Sequence, residues 1–249
     1  MRQYIIGNWK MNGTKTDAKQ LATTFVKRVS EANRPLPHIV LCPSHPYLMA
    51  VAEILKDSPL EVGAQDCHPE NKGSFTGDVG AFQLKDIGCQ YVLVGHSERR
   101  QHHHETNELI RRKLEAAIKE GLRPVLCLGE SAEERAQGKT FDTISKQLLA
   151  ALPSDVMPQD FLIAYEPLWA IGTGLTPTRA EVEETMGFIK HELSTHTTGG
   201  ALVPILYGGS VTGRNAPAFL SLPHLDGLLV GGASLKVDEF WDIINASVR

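Results

Sequence analysis

Eight short apolar runs recur along the chain, at intervals too long for hairpins: Tyr4–Asn8, His38–Cys42, Leu60–Ala64, Tyr91–Val94, Pro124–Leu128, Phe161–Tyr165, Val203–Tyr207 and Gly227–Val230. Their starts lie 34, 22, 31, 33, 37, 42 and 24 residues apart. Runs of this length, bounded by turn residues, read as buried strands. Most gaps hold an amphipathic pattern. Residues 17–32 carry Ala18, Leu21, Ala22, Phe25, Val26 and Val29 at the helical period. Leu48, Val51, Ala52 and Leu55 mark a second helix. Residues 105–120 place Leu109, Ile110, Leu114, Ala117 and Ile118 inward, with Glu105 opening the helix and Gly121 stopping it. Phe141, Ile144, Leu148 and Leu149 mark another, and Phe240, Trp241 and Ile244 the last, with Asp238 as its predicted N-cap. Strands joined by helical crossovers run parallel. Eight such units in 249 residues predict an α/β fold, a single closed (β/α)8 barrel. An open doubly wound sheet is the alternative, because periodicity alone does not close a sheet. No linker or composition break divides the chain, so one catalytic domain over residues 1–249 is expected.

A barrel gathers functional residues at the C-terminal ends of its strands. The sixth run ends in Ala164-Tyr165-Glu166-Pro167-Leu168-Trp169-Ala170-Ile171-Gly172-Thr173-Gly174. A carboxylate at the strand tip is followed by a proline, which bars an immediate helix. Thr176-Pro177-Thr178 closes the segment, and Thr178 to Glu181 is a capping box opening a helix with Val182, Met186 and Ile189 on its apolar face. That is the build of a lid over a base; a solvated Glu at a loop start is the alternative reading. The first run ends in Gly7-Asn8-Trp9-Lys10, and strand alternation sends Asn8 and Lys10 to the same side. The fourth ends in Val94-Gly95-His96-Ser97-Glu98-Arg99. A helical turn at Ser97 places its N-terminus beside His96 and disfavours the imidazolium. Glu98 is the expected partner of Lys10. His102, His103 and His104 are adjacent, so their side chains diverge and do not meet on one metal ion. The seventh and eighth runs end in Gly208-Gly209-Ser210 and Gly231-Gly232-Ala233-Ser234. Such loops turn backbone N–H groups toward an anion, and barrel phosphate sites are built at these two strand ends.

A net charge of -4 gives no electrostatic reason to expect nucleic acid, and an anionic substrate needs a local cation. No apolar stretch approaches a membrane span. The N-terminus runs straight into a strand without signal-peptide architecture. Cys42, Cys67, Cys89 and Cys127 fit no metal spacing and read as reduced thiols, which predicts a cytoplasmic protein.

Six stretches together resemble the triosephosphate isomerase family: residues 7–13, 63–66, 94–100, 164–174, 207–211 and 230–235. The resemblance runs in order over essentially the whole chain and implies a TIM barrel. It implies Glu166 as catalytic base, His96 as electrophile, and Asn8 and Lys10 as substrate-binding, with Lys10 also stabilising charge. It implies Gly172, Ser210, Gly231 and Gly232 as holders of a phosphate. The reaction implied interconverts dihydroxyacetone phosphate and D-glyceraldehyde 3-phosphate through an enediolate, in glycolysis and gluconeogenesis, without metal or organic cofactor. Residues 73–78 look like the loop by which the family forms homodimers. The histidines at 102–104 and Thr212-Gly213-Arg214 depart from the family's usual pattern. Two rivals follow from the residues alone: a Schiff-base aldolase with Lys10 as nucleophile, and a non-catalytic binder of sugar phosphates.

Overall fold

The computed structural model describes residues 3–153, 155–171 and 175–247. Eight strands close into a barrel in chain order: β1 (Tyr4–Asn8), β2 (His38–Cys42), β3 (Glu61–Ala64), β4 (Tyr91–Val94), β5 (Arg123–Leu128), β6 (Leu162–Tyr165), β7 (Ile205–Tyr207) and β8 (Gly227–Val230). Every neighbouring pair is parallel, and β1 closes the ring by pairing Tyr4 with Gly227 and Gly7 with Val230. The closed ring excludes the open doubly wound sheet.

Around it lie α1 (Lys15–Ser30), α2 (Leu48–Leu55), α3 (Ala81–Asp86), α4 (Ser97–His102), α5 (Asn107–Lys119), α6 (Ala132–Ala136), α7 (Thr140–Ala151), α8 (Arg179–His196), α9 (Ala216–Leu220) and α10 (Val237–Ala246). The core has two shells. Tyr4, Ile6, Val40, Cys42, Leu93, Val125, Cys127, Leu162, Ala164, Leu206 and Leu229 fill the barrel interior. Ile5, Ile39, Leu41, Val92, Val94, Leu126, Ile163 and Leu228 face outward onto the apolar stripes of the helices. Parallel strands covered on both faces read as continuous apolar runs for this reason.

Three helix details differ from expectation. Leu149 on α7 is 39% exposed, because the stripe of α7 narrows to Ile144, Leu148 and Ala151. Asp238 lies inside the first turn of α10 and pairs with Arg28 at 2.5 Å; the cap position is Lys236, which makes no side-chain cap. Thr106, not Glu105, caps α5. Glu105 is drawn inward to Arg99 and Lys113, an ion pairing that outcompetes a place in the first turn. Thr178 and Glu181 form the expected capping box of α8.

Candidate active site

Period-two alternation decides which side chains reach the mouth of the barrel. Leu162 and Ala164 point inward from β6, and Glu166 continues that side just past the strand end. Tyr4 and Ile6 do the same on β1, and Asn8 is the next inward position. Glu166 is 2% exposed. Its Oε1 lies 2.9 Å from His96 Nε2, and its Oε2 accepts the Ser97 N–H at 3.3 Å. Two glycines let the backbone close round it. A Cβ at Gly208 would stand 2.8 Å from Glu166 Cγ, and one at Gly129 would stand 1.8 Å from the Glu166 carbonyl oxygen. Burial raises the pKa of this carboxyl, but His96, the Ser97 N–H and Lys10 outweigh it and hold it below the ordinary glutamate value.

His96 is the N-cap of α4. Its Nδ1 accepts the Glu98 N–H at 3.2 Å, a bond open only to an unprotonated nitrogen. That bond assigns the ring proton to Nε2, from which it is donated to Glu166. Burial opposes charge on this ring, while Glu166 and then Glu98 draw its pKa above the ordinary histidine value. The carboxylates and the helix N-terminus thus pull in opposite directions, and the hydrogen-bond pattern is that of the neutral tautomer.

Lys10 lies beyond the end of β1, so alternation alone does not place it. Its φ is 53°, in the left-handed region that costs a side-chain-bearing residue free energy. Hydrogen bonds with its neighbours hold the conformation. Lys10 N–H donates to Asn8 Oδ1 at 3.0 Å, while Ser44 Oγ and Gln65 Nε2 donate to the Lys10 carbonyl at 2.7 and 2.9 Å. Gln65 Nε2 also donates to the Cys42 carbonyl at 2.9 Å. The ammonium is thereby delivered to the mouth, where it pairs with Glu98 at 2.5 Å. A Cβ at Gly231 would stand 3.9 Å from Lys10 Nζ, so the cation reaches the loop after β8.

These groups share one cavity of ≈ 510 Å³, lined by Asn8, Lys10, His96, Glu166, Ser210, Gly231 and Gly232 among others. Gly172 lies outside the described residues. Ser210 Oγ donates to the Ala170 carbonyl at 2.6 Å, tying the loop after β7 to the turn Leu168–Ala170. Ser234, fully buried, donates to the Gly231 carbonyl at 2.7 Å and fixes the loop after β8. Among the described residues no three metal-ligating side chains converge, the run at 102–104 included.

Several contributors escaped the sequence reading. Lys236 and Glu239 line the same cavity, and Glu239 accepts the Gly213 N–H at 2.8 Å, clamping the β7 loop to α10. Glu130, fully buried, accepts the Trp169 indole N–H at 3.0 Å and the Tyr165 hydroxyl at 3.2 Å. Its place just past β5 is the same strand-end position that singled out Glu166, a signal the sequence reading passed over. Gln65 lies in one of the stretches that resemble the family, but its role was not read from it, because its contacts are to the ends of the neighbouring strands β1 and β2.

The arrangement can remove a proton from a carbon held between Glu166 and His96, donate a hydrogen bond to the oxygen beside that carbon, and hold an anion at the β7 and β8 loops. Residues 3–247 match the family model for triosephosphate isomerase. A curated triosephosphate isomerase of Gluconacetobacter diazotrophicus is 41% identical over 249 residues, covering 100% of this chain and 99% of that protein. One of Rhizobium etli is 43% identical over 251 residues, covering 99% and 96%. The crystal structure of triosephosphate isomerase from Bartonella henselae superposes with a TM-score of 0.90 at 37% identity, over 99% of each chain.

Proposed function

The chain belongs to the triosephosphate isomerase family, and we propose that Glu166 is the base in the interconversion of dihydroxyacetone phosphate and D-glyceraldehyde 3-phosphate that it catalyses in glycolysis. The observation that carries the assignment is the buried Glu166 carboxylate against His96 Nε2 at 2.9 Å, with Lys10 in the same cavity. A carboxylate base beside a neutral histidine is the family's own well-known pairing, and the roles given to Glu166 and His96 follow it.

Substrate enters between Glu166 and His96 and takes over their mutual hydrogen bond. Glu166 then faces the carbon acid and removes its proton. His96 donates its Nε2 proton to the oxygen on which charge develops, giving an enediolate, and returns protons between the two oxygens. Once the ring has left Glu166, the carboxylate that most raises its pKa is further away. Burial, the Glu98 N–H and Lys10 then favour the neutral donor against the Glu98 carboxylate, 3.7 Å from Nδ1. Lys10 supplies the local cation that a net charge of -4 does not, and stabilises charge on both phosphate and enediolate. Asn8 orients Lys10, and Ser210, Gly231 and Gly232 receive the phosphate, with Gly172 assigned to the same role by resemblance. The segment after Glu166 closes over the substrate and excludes water, so that the phosphate is retained through the enediolate.

We further propose that the whole chain is one catalytic domain, that it serves gluconeogenesis as well, and that it acts in the cytoplasm. No helix among the described residues is long and apolar enough to cross a membrane. The proposed partner is a second copy, engaged through residues 73–78. Met11 is 94% exposed and Phe75 43% exposed, and a cavity of ≈ 430 Å³ lined by His45, Asp66, His68 and Arg99 lies open beside that loop. Light scattering across a concentration series checks the dimer; a monomer at all concentrations ends that reading.

A coupled isomerase assay, run with solvent-exchange measurement on the substrate carbon, tests the chemistry. Isomerisation with α-proton exchange is expected. Borohydride trapping of a covalent Lys10 adduct would replace it with the aldolase, and binding without turnover would replace it with a sugar-phosphate binder.

A further inference from the structure

The chain between β7 and α9, residues 208–215, is neither helix nor strand, so bonds to its surroundings must give it its shape. The Gly208 N–H donates to the Tyr165 carbonyl at 2.7 Å, and Ser210 Oγ donates to the Ala170 carbonyl at 2.6 Å. Asn215 staples the loop to itself. Its Nδ2 donates to the Ser210 carbonyl at 3.1 Å, and its Oδ1 accepts the Thr212 N–H at 2.8 Å. The far side is held at Gly213, whose N–H donates to Glu239 Oε1 at 2.8 Å. Glu239 stands in the first turn of α10, where the helix dipole favours a carboxylate. The helix itself is firmly seated. Phe240, Ile243 and Ile244 are fully buried, and Phe240 lies edge-on to Phe25 of α1 with 5.3 Å between ring centres.

The close approach requires glycine at 213. A Cβ there would stand 2.7 Å from Asp242 Cβ, almost one turn further along α10. Glu239 also lines the cavity that holds Lys10, His96 and Glu166. Its negative charge alone would repel a phosphate. What it can contribute to phosphate binding is therefore its hydrogen bond.

We propose that Glu239 is a positioning residue for the phosphate: by accepting the Gly213 N–H it holds the β7 loop against α10 in the shape that receives the phosphate at Ser210. The inference rests on the reading of the β7 and β8 loops as the phosphate holders. The path is short and continuous. Glu239 fixes Gly213, the adjacent Thr212 is bonded to Asn215, and Asn215 is bonded to the Ser210 carbonyl. The role needs an oxygen acceptor at the reach of Glu239. Glutamine supplies one without the charge, and alanine supplies none.

The test measures kcat, KM for dihydroxyacetone phosphate and melting temperature in E239A, E239Q, G213A and the E239A/G213A double variant, beside wild type. Calorimetry with inorganic phosphate gives the affinity of each for the anion alone. E239A is expected to raise KM and the phosphate dissociation constant together, about fivefold, the scale of one hydrogen bond. Its kcat should change much less, because the contact is remote from the reacting carbon. E239Q keeps the acceptor and recovers most of the lost affinity. G213A keeps the N–H but pushes it away from Glu239, and should reproduce E239A. The double variant should be no worse than either single one, because both break the same bond. A lower melting temperature in E239A with KM and phosphate affinity unmoved overturns the proposal and leaves Glu239 a stabilising residue. E239Q as weak as E239A overturns it, because the acceptor is then not what matters. Tighter phosphate binding in both E239A and E239Q overturns it too, since Glu239 then acts by charge alone. Should E239A not fold, the other two single variants decide: weakened G213A with E239Q near wild type supports the clamp, and G213A at the wild-type value overturns it. Wild type that fails to bind inorganic phosphate overturns the phosphate reading itself, whereas phosphate-binding wild type with an unaffected E239A overturns only the role of Glu239.

Discussion

His96 and Glu166 form one buried hydrogen-bonded pair; the buried Glu105 and Lys113 with the half-buried Asp66 and Arg99 form a second, charged cluster, and the short helix α4 touches both. Burial is alike: His96 and Glu166 are 5% and 2% exposed, Lys113 and Glu105 4% and 6%. What differs is the number of fixed partners. Lys113 Nζ lies 2.7 and 2.9 Å from the two Asp66 oxygens and 2.5 Å from Glu105 Oε1. Arg99 closes the cluster at 2.9 Å from Asp66 and 2.6 Å from Glu105. Glu105 Oε2 is buried without a hydrogen-bond partner among the described residues. Both sets of groups line cavities, but at the mouth Glu166 and His96 hold each other by a single bond, and a substrate can replace it. Charge held by many protein partners stabilises the fold; charge held by one exchangeable partner is available for chemistry.

The largest effect that can break this comparison is on catalysis. Glu166→Asp draws the carboxylate back by one methylene from the carbon it must reach. We expect kcat to fall about 10³-fold, roughly 4 kcal/mol of barrier, with a smaller change in KM and no loss of melting temperature. Near-wild-type turnover removes Glu166 from the role of base. Lys113→Met is the mirror experiment. It leaves Asp66 and Glu105 without their shared cation and is expected to cost about 3 kcal/mol of stability in urea unfolding at fixed chain concentration, with kcat per folded molecule near wild type. A kcat collapse without destabilisation would exchange the roles of the two clusters.

Lys10 sharpens the boundary between them, since it is both ion-paired to Glu98 and turned to the cavity. Lys10→Ala is expected to weaken phosphorylated ligands by about 2 kcal/mol, on the scale of a charge-assisted hydrogen bond, and to reduce the salt dependence of binding. Calorimetry with a phosphorylated transition-state analogue checks this, and unchanged affinity removes Lys10 from the phosphate.

Much of this molecule was legible because parallel strands are buried on both faces. Tyr4–Asn8, His38–Cys42, Tyr91–Val94 and Gly227–Val230 are apolar runs in the sequence and strands in the structure with the same bounds. The strand-end rule brought Asn8, His96, Glu166, Ser210, Gly231 and Gly232 to one cavity. What was not legible depends on tertiary partners. Glu105 read as a helix start because a sequence does not show that Arg99 and Lys113 converge on it. Lys10 read as a strand residue because its left-handed backbone is imposed by Ser44 and Gln65 from other loops.

The smallest expected effect divides the second cluster internally. Burial pushes the Asp66 carboxyl above its ordinary range, and its pairing with Lys113 and Arg99 does not fully offset that. For Glu105 burial acts in the same direction, but the hydrogen bonds from Lys113 and Arg99 prevail and hold it below its ordinary range. The two acids therefore act on stability with opposite signs. Glu105, depressed in the fold, contributes stability that is fully present above its unfolded pKa of about 4.3 and is lost as pH falls through its folded value. Asp66, raised in the fold, opposes folding once ionised, and that penalty is relieved as pH falls through its folded value toward about 3.9. At pH 7, Glu105→Gln should cost more than Asp66→Asn, by on the order of 1 kcal/mol. Urea midpoints for both variants from pH 7 to pH 4 check the sign. The Glu105→Gln deficit should shrink only at the acid end, below about 4.3, while Asp66→Asn should compare progressively worse with wild type as pH falls and wild-type Asp66 takes up its proton. Equal costs with parallel pH profiles would mean that the four charges act as one undivided unit.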